Sequence, residues 1–375
     1  MRTILHIITG LGSGGAERQL TALVRGCAAL GEVRPVVVSL TGEGVYGAEI
    51  RAAGIELHCL GLGRGQFSLS ALWALVRVLR RSRPALIQSW LYHADLAATL
   101  ACPLVGWPPL VWNLRCSDMD LSRYSRLTRW VLWILARLSR FPVAIISNSA
   151  AGLRVHREHG YKPRQSRVIA NGIDTAVFAR NTQARAALRA EWRVGPDERL
   201  VVCCARHDPM KDHAGLLRAF TQVSGPARLV LVGRGTTADN PVLQAEISAA
   251  GIDPARLVLL GERRDIPDIL SACDLFVMGS AFGEGFPNVV AEAMSCLLPG
   301  VVTDVGDAAE IVAEHGAVVP PCDPSSLAAA LNRLLAASDE TLVEQGRAAR
   351  QRIVETYGLA AMLAAYRHLY QDILS

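Results

Sequence analysis

The residues with the clearest chemical potential are two glutamates separated by seven residues in the segment EGFPNVVAE. Glu284 follows a run of small residues and is predicted to lie in a loop, whereas Glu292 falls in the predicted helix NVVAEAMSC. The helical repeat places the second carboxylate about two turns from the first. One acid in a loop and one on the next helix could therefore bind two different parts of a single ligand.

Two cations precede these acids in the segment RHDPMK, which comes directly after the apolar strand LVVCCA. Arg206 and Lys211 thus lie where a buried strand ends and a helix begins, a position that suits phosphate binding. The alternative is two surface charges in a loop, but the position after a buried strand favours the phosphate role. Two cations held beside a phosphate stabilise negative charge that develops on it, without a metal.

Together these motifs resemble glycosyltransferase family 4. The resemblance also includes LGSGGAER near the N-terminus, GFPNVVAEAM and TDVGD, and it extends from about Ile4 to the C-terminal helix. It implies an α/β protein with the GT-B fold, in which two doubly wound Rossmann-like domains face each other across a cleft. It further implies a retaining, metal-independent transferase that needs no cofactor and takes its sugar from a UDP- or GDP-linked donor.

The resemblance assigns donor binding to both glutamates and to the helix start between them. Glu292 would bind the ribose hydroxyls, and Glu284 would contact the sugar or stabilise positive charge at its C1 atom. Backbone amides at the helix start would bind sugar hydroxyls or phosphate oxygens, although a proline has no N–H to donate. The residues concerned are Phe286, Pro287, Asn288 and Val289.

A glycine-rich loop at residues 10–15 follows the first predicted strand and contains G-x-G-x-x-G. Such a loop is typical of dinucleotide binding, but that function also needs an acid at the end of the second strand. The strand PVVVSL continues into Thr41 and lacks such an acid. The resemblance instead places Gly14 and Gly15 beside the donor phosphates, and simple tight packing stays open for Gly10.

One histidine of the first half is a further catalytic candidate. His93 follows the predicted strand ALIQSW and matches an active-site histidine of the family; a lone histidine is often structural, and both interpretations stay open. Asp95 and Arg115 are weaker candidates for contacts with the acceptor. The predicted catalytic set is Glu284, His93, Arg206 and Lys211.

Asp118 and Asp120 form a D-x-D sequence, which holds a metal in the other glycosyltransferase fold. Here the pair precedes a predicted helix and lies in the half of the chain that is not expected to bind the donor. Helix capping by Asp120 or Ser122 explains the pattern better, so no metal site is predicted.

Basic residues are concentrated in the first half of the chain. Residues 1–180 hold 22 Lys and Arg against 10 Asp and Glu, a net charge of +12, whereas residues 181–375 carry −7. The predicted helix 122–140 is typical of a membrane-interface helix, and an ordinary surface helix is the equal alternative. Its basic and aromatic stripe contains Arg123, Arg126, Arg129, Trp130, Trp133, Arg137 and Arg140. An anionic membrane surface is therefore a possible partner.

Composition indicates a globular protein of two domains. The chain has 375 residues, 51% hydrophobic and 19% charged, which excludes disorder. No apolar run approaches the roughly 18 residues of a membrane span, and the N-terminus lacks signal-peptide features. We expect a cytoplasmic protein, peripheral at the inner face of the cell membrane, with no nucleic-acid partner. Nine scattered cysteines without a CxxC pattern indicate reduced thiols.

Apolar strands alternate with helices along the chain, which predicts parallel sheets covered on both faces. The pattern restarts after the turn sequence NGID at 171–174. The predicted acceptor domain is 1–174 with the C-terminal helix 359–375, and the predicted donor domain is 175–358. Ligands of such sheets bind at the carboxyl ends of the strands. The sequence departs from the family at two positions, with Leu297 in place of glycine and Gly300 in place of a β-branched residue. These departures concern local packing and not the chemistry.

These patterns predict sugar transfer from a nucleotide diphosphate donor to a lipid-linked saccharide in exopolysaccharide or capsule assembly. A soluble acceptor is the first alternative. A nucleotide-sugar epimerase of similar fold would need further acid–base residues, which the sequence does not reveal. A dehydrogenase would need the missing acid, and a non-catalytic binder of sugar nucleotides fits poorly with the intact pair of glutamates.

Overall fold

The computed structural model describes residues 1–63, 68–115 and 126–375. The chain divides into two compact units. Unit 1 comprises Met1–Gly172 together with Leu359–Ser375, and unit 2 comprises Ile173–Gly358.

Parallel strands form the centre of unit 1. In its described part they lie in the order β3-β2-β1-β4-β5-β6-β7. Successive residues of β1 point to opposite faces: Leu5 and Ile7 pack into one buried cluster, whereas Ile4 and Ile8 pack into the other. The strands are β1 (Arg2–Ile8), β2 (Val33–Ser39), β3 (Glu56–Cys59), β4 (Leu86–Trp90), β5 (Leu110–Leu114), β6 (Ala144–Ser147) and β7 (Ser166–Val168).

Helices cover both faces of this sheet. Helices α3, α4 and α5 bury their apolar residues on the face of Leu5 and Ile7, and α1 and α15 do so on the face of Ile4 and Ile8. The helices of unit 1 are α1 (Gly15–Leu30), α2 (Gly47–Ala52), α3 (Leu69–Ser82), α4 (Tyr92–Ala101), α5 (Arg126–Leu138), α6 (Ala150–Glu158) and α15 (Leu359–Leu374).

The last helix, α15, belongs to unit 1 because its aromatic side chains reach the sheet. Tyr366 accepts a hydrogen bond from the Asn113 side chain at 2.8 Å, and the hydroxyl of Tyr370 donates to Gln88 at 2.6 Å. All four side chains are buried. Buried polar groups need such partners, so these bonds fix where the helix docks.

Unit 2 contains a second parallel sheet, and its described strands follow the order β10-β9-β8-β11-β12-β13. They are β8 (Arg199–Cys204), β9 (Ala227–Val232), β10 (Leu257–Gly261), β11 (Leu275–Met278), β12 (Gly300–Thr303) and β13 (Ala317–Val319). The helices are α7 (Thr182–Glu191), α8 (His213–Thr221), α9 (Pro241–Ala250), α10 (Ile266–Ala272), α11 (Asn288–Ser295), α12 (Ala308–Val312), α13 (Pro324–Leu335) and α14 (Asp339–Arg352).

The predicted α/β class with two doubly wound parallel sheets is confirmed. The structure adds elements that the sequence pattern did not reveal: the edge strand β13 and the helices α2, α7 and α10. The predicted helix 122–140 is seen as α5, and the residues before Arg126 lie outside the described part of the chain.

Candidate active site

The order of the strands brings three loops of unit 2 to one edge of its sheet. Strands β8, β11 and β12 are neighbours and parallel, so the loops that follow them lie side by side. The backbone N–H of Ala281 donates to Met210 O at 2.8 Å, and that of Asp307 donates to Gly285 O at 2.8 Å. The loop that carries Glu284 is thus held between the other two.

Lys211 and Glu284 form an ion pair at this edge, 73 residues apart in sequence. Their side chains are only 15% and 9% exposed. The Ser280 hydroxyl donates to the same carboxylate oxygen at 2.6 Å, and Thr303 in turn donates to the Ser280 carbonyl at 2.7 Å. A pair so enclosed is held in one geometry, because separating the charges would leave either one buried alone.

Arg206 lies closer to solvent. Its Nε atom contacts Asp208 at 3.2 Å, and its side chain is 47% exposed. Asp208 also accepts a hydrogen bond from the backbone N–H of Met210 at 2.9 Å, which starts the short helical turn that carries Lys211. Since this contact occupies only part of the guanidinium, donors remain for an anion.

Helix α11 begins directly after the Glu284 loop. Pro287 precedes its first residue, Asn288, and the buried Phe286 ring packs against Tyr357 with centroids 5.3 Å apart. Glu292 is a buried residue of the same helix. Asn288 and Val289 are the first two residues of this helix, and contact of their backbone N–H groups with a ligand stays a prediction.

Gly306 packs closely against the Glu284 loop. A Cβ atom at this glycine, which has φ +68°, would lie 2.5 Å from the carbonyl oxygens of Glu284 and Gly285. Only glycine fits both the backbone conformation and the space. The TDVGD segment, singled out by resemblance, therefore helps to hold the Glu284 loop.

Two histidines and a serine beside the predicted site residues were not predicted from the sequence. His207 pairs with Glu246 at 2.9 Å, and its ring lies 5.1 Å from the ring of His213. His213 is buried, and burial lowers its pKa to about 4, so it is neutral at pH 7. Ser280 positions the carboxylate of Glu284. The signal available for all three was proximity in sequence to a predicted site residue.

In unit 1, Gly14 caps α1 in an extended conformation and Gly15 is the first helical residue. A Cβ atom at Gly14 would lie 2.2 Å from a carboxylate oxygen of Glu17. The turn is therefore closely packed around a helix N-terminus, and burial raises the pKa of Glu17. Donor contact by the two glycines stays a prediction.

His93 is the second residue of α4. Its Nε2 atom is buried and has no hydrogen-bond partner among the described residues. Burial lowers the pKa of His93, which keeps the imidazole neutral at pH 7. The side chain lines an apolar cavity of about 350 Å³ between α3, α4 and α5.

In unit 1, Asp95 is buried and Arg115 is partly buried. Asp95 accepts a hydrogen bond from Ser89 at 2.6 Å, and burial raises its pKa well above the usual range. Arg115 donates to Asn171 at 2.5 Å and to the Tyr366 hydroxyl at 2.6 Å. Direct contact of these two residues with an acceptor stays a prediction, and their geometry instead indicates a role in holding unit 1 together.

The D-x-D residues Asp118 and Asp120 lie outside the described residues. Within the ranges that the structure does describe, no group of three or more His, Cys, Asp or Glu side chains is arranged to hold a metal ion. No helix in those ranges is both long enough and apolar enough to cross a membrane.

Helix α5 exposes the predicted basic and aromatic stripe. Trp130 and Trp133 are 62% and 50% exposed, and their rings are in edge contact at 5.5 Å. The Arg137 guanidinium lies 3.3 Å from the centre of the Trp133 ring. Arg126 and Arg129 are exposed on the same helix. Helix α5 therefore presents cations and indole rings to its surroundings.

Two doubly wound parallel sheets in one chain are the architecture of glycosyltransferases of the GT-B class. Two family models match the chain: Glycosyltransferase Family 4 over residues 13–177 and Glycosyl transferases group 1 over residues 198–337. Both models describe glycosyltransferases and together they match most of the chain, so the protein is a glycosyltransferase.

Individual relatives agree with this assignment. The alpha-maltose-1-phosphate synthase of Mycobacterium tuberculosis is 26% identical and covers 88% of this chain and 95% of its own length. An N-acetylgalactosaminyltransferase of Campylobacter jejuni, named for a diphospho-undecaprenol substrate, is 27% identical over 43% of this chain and 41% of its own. Anabaena HepE, solved with UDP, superposes with a TM-score of 0.84 at 23% identity, covering 99% of this chain and all of HepE.

Proposed function

We propose that the protein transfers a sugar, with retention of configuration, from a nucleotide diphosphate donor to a lipid-linked saccharide acceptor. The observation that carries the donor half of this proposal is the enclosed pair of Lys211 and Glu284 at the carboxyl edge of the unit 2 sheet. HepE, which has the same fold, is described in complex with UDP and with UDP-glucose. Unit 2 would bind UDP or GDP, and unit 1 would bind the acceptor.

The chemistry follows from the positions of the charges. An ammonium has three N–H donors, and the bond to Glu284 uses one of them, so Lys211 can donate the others to a phosphate. Lys211 and Arg206 would stabilise the negative charge that builds on the departing diphosphate. Glu284 would stabilise the positive charge at C1 of the sugar, and Glu292 would bind the ribose hydroxyls. No metal or cofactor is required for this scheme.

The anomeric configuration of the product tests whether the transfer occurs with retention. The acceptor oxygen would attack C1 on the face from which the diphosphate departs. Proton NMR of the product gives the configuration at C1 through its coupling constant. A product with the donor's own anomeric configuration supports the scheme, and an inverted product contradicts it.

A lipid-linked acceptor is supported by the surface of unit 1. The first half of the chain has a net charge of +12, and α5 exposes arginine and tryptophan. The Campylobacter jejuni relative is named for an acceptor on diphospho-undecaprenol. We infer that the enzyme acts at the cytoplasmic face of the cell membrane, during assembly of an exopolysaccharide or capsule.

A soluble acceptor is the second candidate. The Mycobacterium tuberculosis relative, which covers more of the chain, is named for synthesis of a sugar phosphate rather than a lipid. Under this alternative the arginines and tryptophans of α5 would form an ordinary surface. Turnover with lipid-linked and water-soluble acceptors of the same saccharide would separate the two candidates.

A panel of nucleotides tests the donor assignment. Thermal unfolding is measured with UDP- and GDP-linked sugars, with UDP and GDP, and with NAD. A ligand at a hundred times its Kd stabilises the folded protein by about 2.7 kcal/mol, which raises the melting temperature. Stabilisation by one nucleotide family and not by NAD supports the proposal. Stabilisation by NAD alone would favour the dehydrogenase.

A further inference from the structure

Unit 1 contains an apolar cavity at the carboxyl ends of its strands. Its volume is about 350 Å³, within the range of about 300–1,000 Å³ that small-molecule pockets span. Leu40 and Leu60 follow directly after β2 and β3, and His93 comes shortly after β4. Aliphatic residues of the covering helices complete the wall; they are Leu72, Leu75, Leu96, Leu127 and Ile134. The cavity therefore lies at the edge where ligands of parallel sheets bind.

The lining excludes a purely polar ligand. Among the described lining residues, Ser68, His93 and Trp130 are those with polar side-chain atoms. The buried Nε2 atom of His93 has no partner in the described structure. A polar saccharide placed among leucines would lose its hydrogen bonds to water without replacement, whereas a hydrocarbon chain would lose nothing. The cavity thus suits a hydrocarbon with one polar end.

The cavity reaches the surface of unit 1 along α5. Leu127 and Trp130 both line it and are 47% and 62% exposed. Arg126 lies four residues from Trp130 on the helix. Arg137 lies three residues from Ile134, which also lines the cavity, and residues three or four apart share a helix face. Apolar walls beside arginines complement a molecule that joins a hydrocarbon chain to an anionic head group.

We propose that this cavity binds the part of a polyprenyl diphosphate chain next to its diphosphate, and so selects a lipid-linked acceptor. This inference rests on the proposed function, because it names the binding site of that acceptor. The arginines of α5 would contact the diphosphate, and the hydrocarbon would lie among the leucines. His93, whose buried Nε2 atom has no partner in the described structure, would contact the head group as a neutral imidazole that can either donate or accept a hydrogen bond.

Direct binding of farnesyl diphosphate to the full chain tests the proposal without any turnover. Calorimetric titrations compare farnesyl diphosphate with inorganic diphosphate, which shares only the head group, and with farnesol, which shares only the chain. We expect farnesyl diphosphate to bind more tightly than inorganic diphosphate by at least about tenfold. Equal affinities would overturn the proposal, because the hydrocarbon would then contribute nothing.

Substitutions locate the binding. Leu127→Glu places a carboxylate at the exposed rim of the cavity, and we expect farnesyl diphosphate affinity to fall by about tenfold or more. Leu104→Glu is the matched control, because Leu104 is also exposed in unit 1 and does not line the cavity. Ala97→Phe fills the cavity from α4, with its fold checked by thermal unfolding. Equal losses in Leu127→Glu and Leu104→Glu would contradict the assignment.

The outcome is separable from that of the proposed function. If farnesyl diphosphate binds no better than inorganic diphosphate while the enzyme still glycosylates a lipid-linked acceptor, the cavity assignment fails and the proposed function stands. If Leu127→Glu selectively weakens farnesyl diphosphate binding while only soluble saccharides are glycosylated, the cavity binds prenyl chains and the lipid acceptor assignment fails.

Discussion

The donor site proposed for unit 2 and the apolar cavity of unit 1 occupy the same topological position, but their polar groups have very different surroundings. Each lies at the carboxyl ends of parallel strands. In unit 2 the ion pair of Lys211 and Glu284 is enclosed and hydrogen-bonded by Ser280. In unit 1 the imidazole of His93 lines a cavity whose wall is mostly leucine, and burial keeps it neutral.

This contrast separates the effect of sheet topology from the effect of the individual side chains. A parallel sheet fixes where loops gather, and the side chains that follow each strand decide whether that edge binds an anion or a hydrocarbon. Arg206 and Lys211 follow β8, whereas Leu40 follows β2 and Leu60 follows β3. Changes that alter charge should therefore affect the two units differently.

The largest effect is expected from Lys211→Ala. Removal of one charge-stabilising donor should raise the activation barrier by roughly 2–4 kcal/mol. Arg206→Ala should act in the same direction, and Lys162→Ala, at the exposed and only other lysine of the chain, is the control. Steady-state release of the nucleoside diphosphate measures the effect. Unchanged turnover in both Lys211→Ala and Arg206→Ala would remove the phosphate role.

Stability gives a second measure of the same ion pair. Lys211→Ala leaves the Glu284 carboxylate buried without its cation, which should lower the free energy of unfolding. The double variant Lys211→Ala/Glu284→Gln removes that charge and should recover part of the loss. Urea unfolding measures both variants.

The next largest effect concerns membrane binding by α5. Wild type should bind anionic vesicles at low salt and leave them at high salt, because each basic residue near the surface contributes about 1 kcal/mol and salt screens it. Sedimentation with vesicles measures the bound fraction. Replacement of three exposed arginines by glutamate should abolish binding; the variant combines Arg126→Glu, Arg129→Glu and Arg137→Glu.

A charge-matched variant on exposed helix positions of unit 2 controls for net charge. It combines Arg218→Glu, Arg333→Glu and Arg347→Glu. Trp130→Ala with Trp133→Ala should weaken vesicle binding less than the α5 charge reversal, since it removes only the interfacial rings. If wild type ignores anionic vesicles at low salt, α5 is an ordinary surface helix and the soluble acceptor becomes the better candidate.

Acid should reveal opposite behaviour of buried groups in the two units. Burial lowers the pKa of His213 in unit 2 to about 4, so between pH 6.5 and about 4 the unfolded chain binds a proton that the folded chain does not. This histidine therefore costs about 2 kcal/mol of stability at pH 5 relative to pH 7. His213→Gln should remove that part of the pH dependence in urea unfolding.

Asp95 in unit 1 has the reverse sign. Its folded pKa is raised by burial, so its contribution is lost as pH rises through that value. Asp95→Asn should reduce this loss, while His6 and His156, whose pKa values burial lowers to about 3 and about 4, keep unit 1 sensitive to acid. Identical pH profiles for wild type, His213→Gln and Asp95→Asn would contradict both assignments.

A smaller effect should separate the two glutamates of unit 2. Glu292→Gln should weaken binding of UDP or GDP by about 1 kcal/mol through lost ribose hydrogen bonds, whereas Glu284→Gln should leave nucleotide binding intact and lose most turnover. Calorimetry with the free nucleotides reports the difference. Equal losses of nucleotide affinity would mean that the roles are assigned wrongly.

The smallest expected effect is that of a chelator, which should not change turnover at all. EDTA should leave turnover unchanged, because Lys211 and Arg206 supply the positive charge that a metal would otherwise supply. Turnover lost with EDTA and restored by Mg²⁺ or Mn²⁺ would return attention to Asp118 and Asp120.

The sequence predicts the two parallel sheets because their strands are nearly continuous apolar runs. It does not reveal β13, which is three residues long at a sheet edge, or α7, in which Leu188 is the buried residue. Elements that bury little apolar surface leave little periodicity. Leu297 adopts φ +68°, which accounts for the glycine usual in the family, but a left-handed leucine has no signature of its own.

Motifs in the sequence point to single candidate residues of the site. Their neighbours depend on the fold and cannot be predicted from those motifs. The structure brings Lys211 and Glu284 together, as one shared site requires. The bonds from Ser280 and Thr303 depend on how three loops meet, which no local pattern encodes. Asp95 is buried in unit 1 and accepts a hydrogen bond from Ser89, a contact between α4 and β4 that the local sequence does not encode.

Amide hydrogen exchange with bound donor tests the central claim most directly. Exchange is followed with UDP-glucose, GDP-mannose and NAD, each against the protein alone. Binding at the Lys211 and Glu284 site predicts that one nucleotide sugar slows exchange in residues 205–211 and 279–292 of unit 2, and that NAD does not. Contradiction would come from unchanged exchange in both segments with every nucleotide sugar that stabilises the protein.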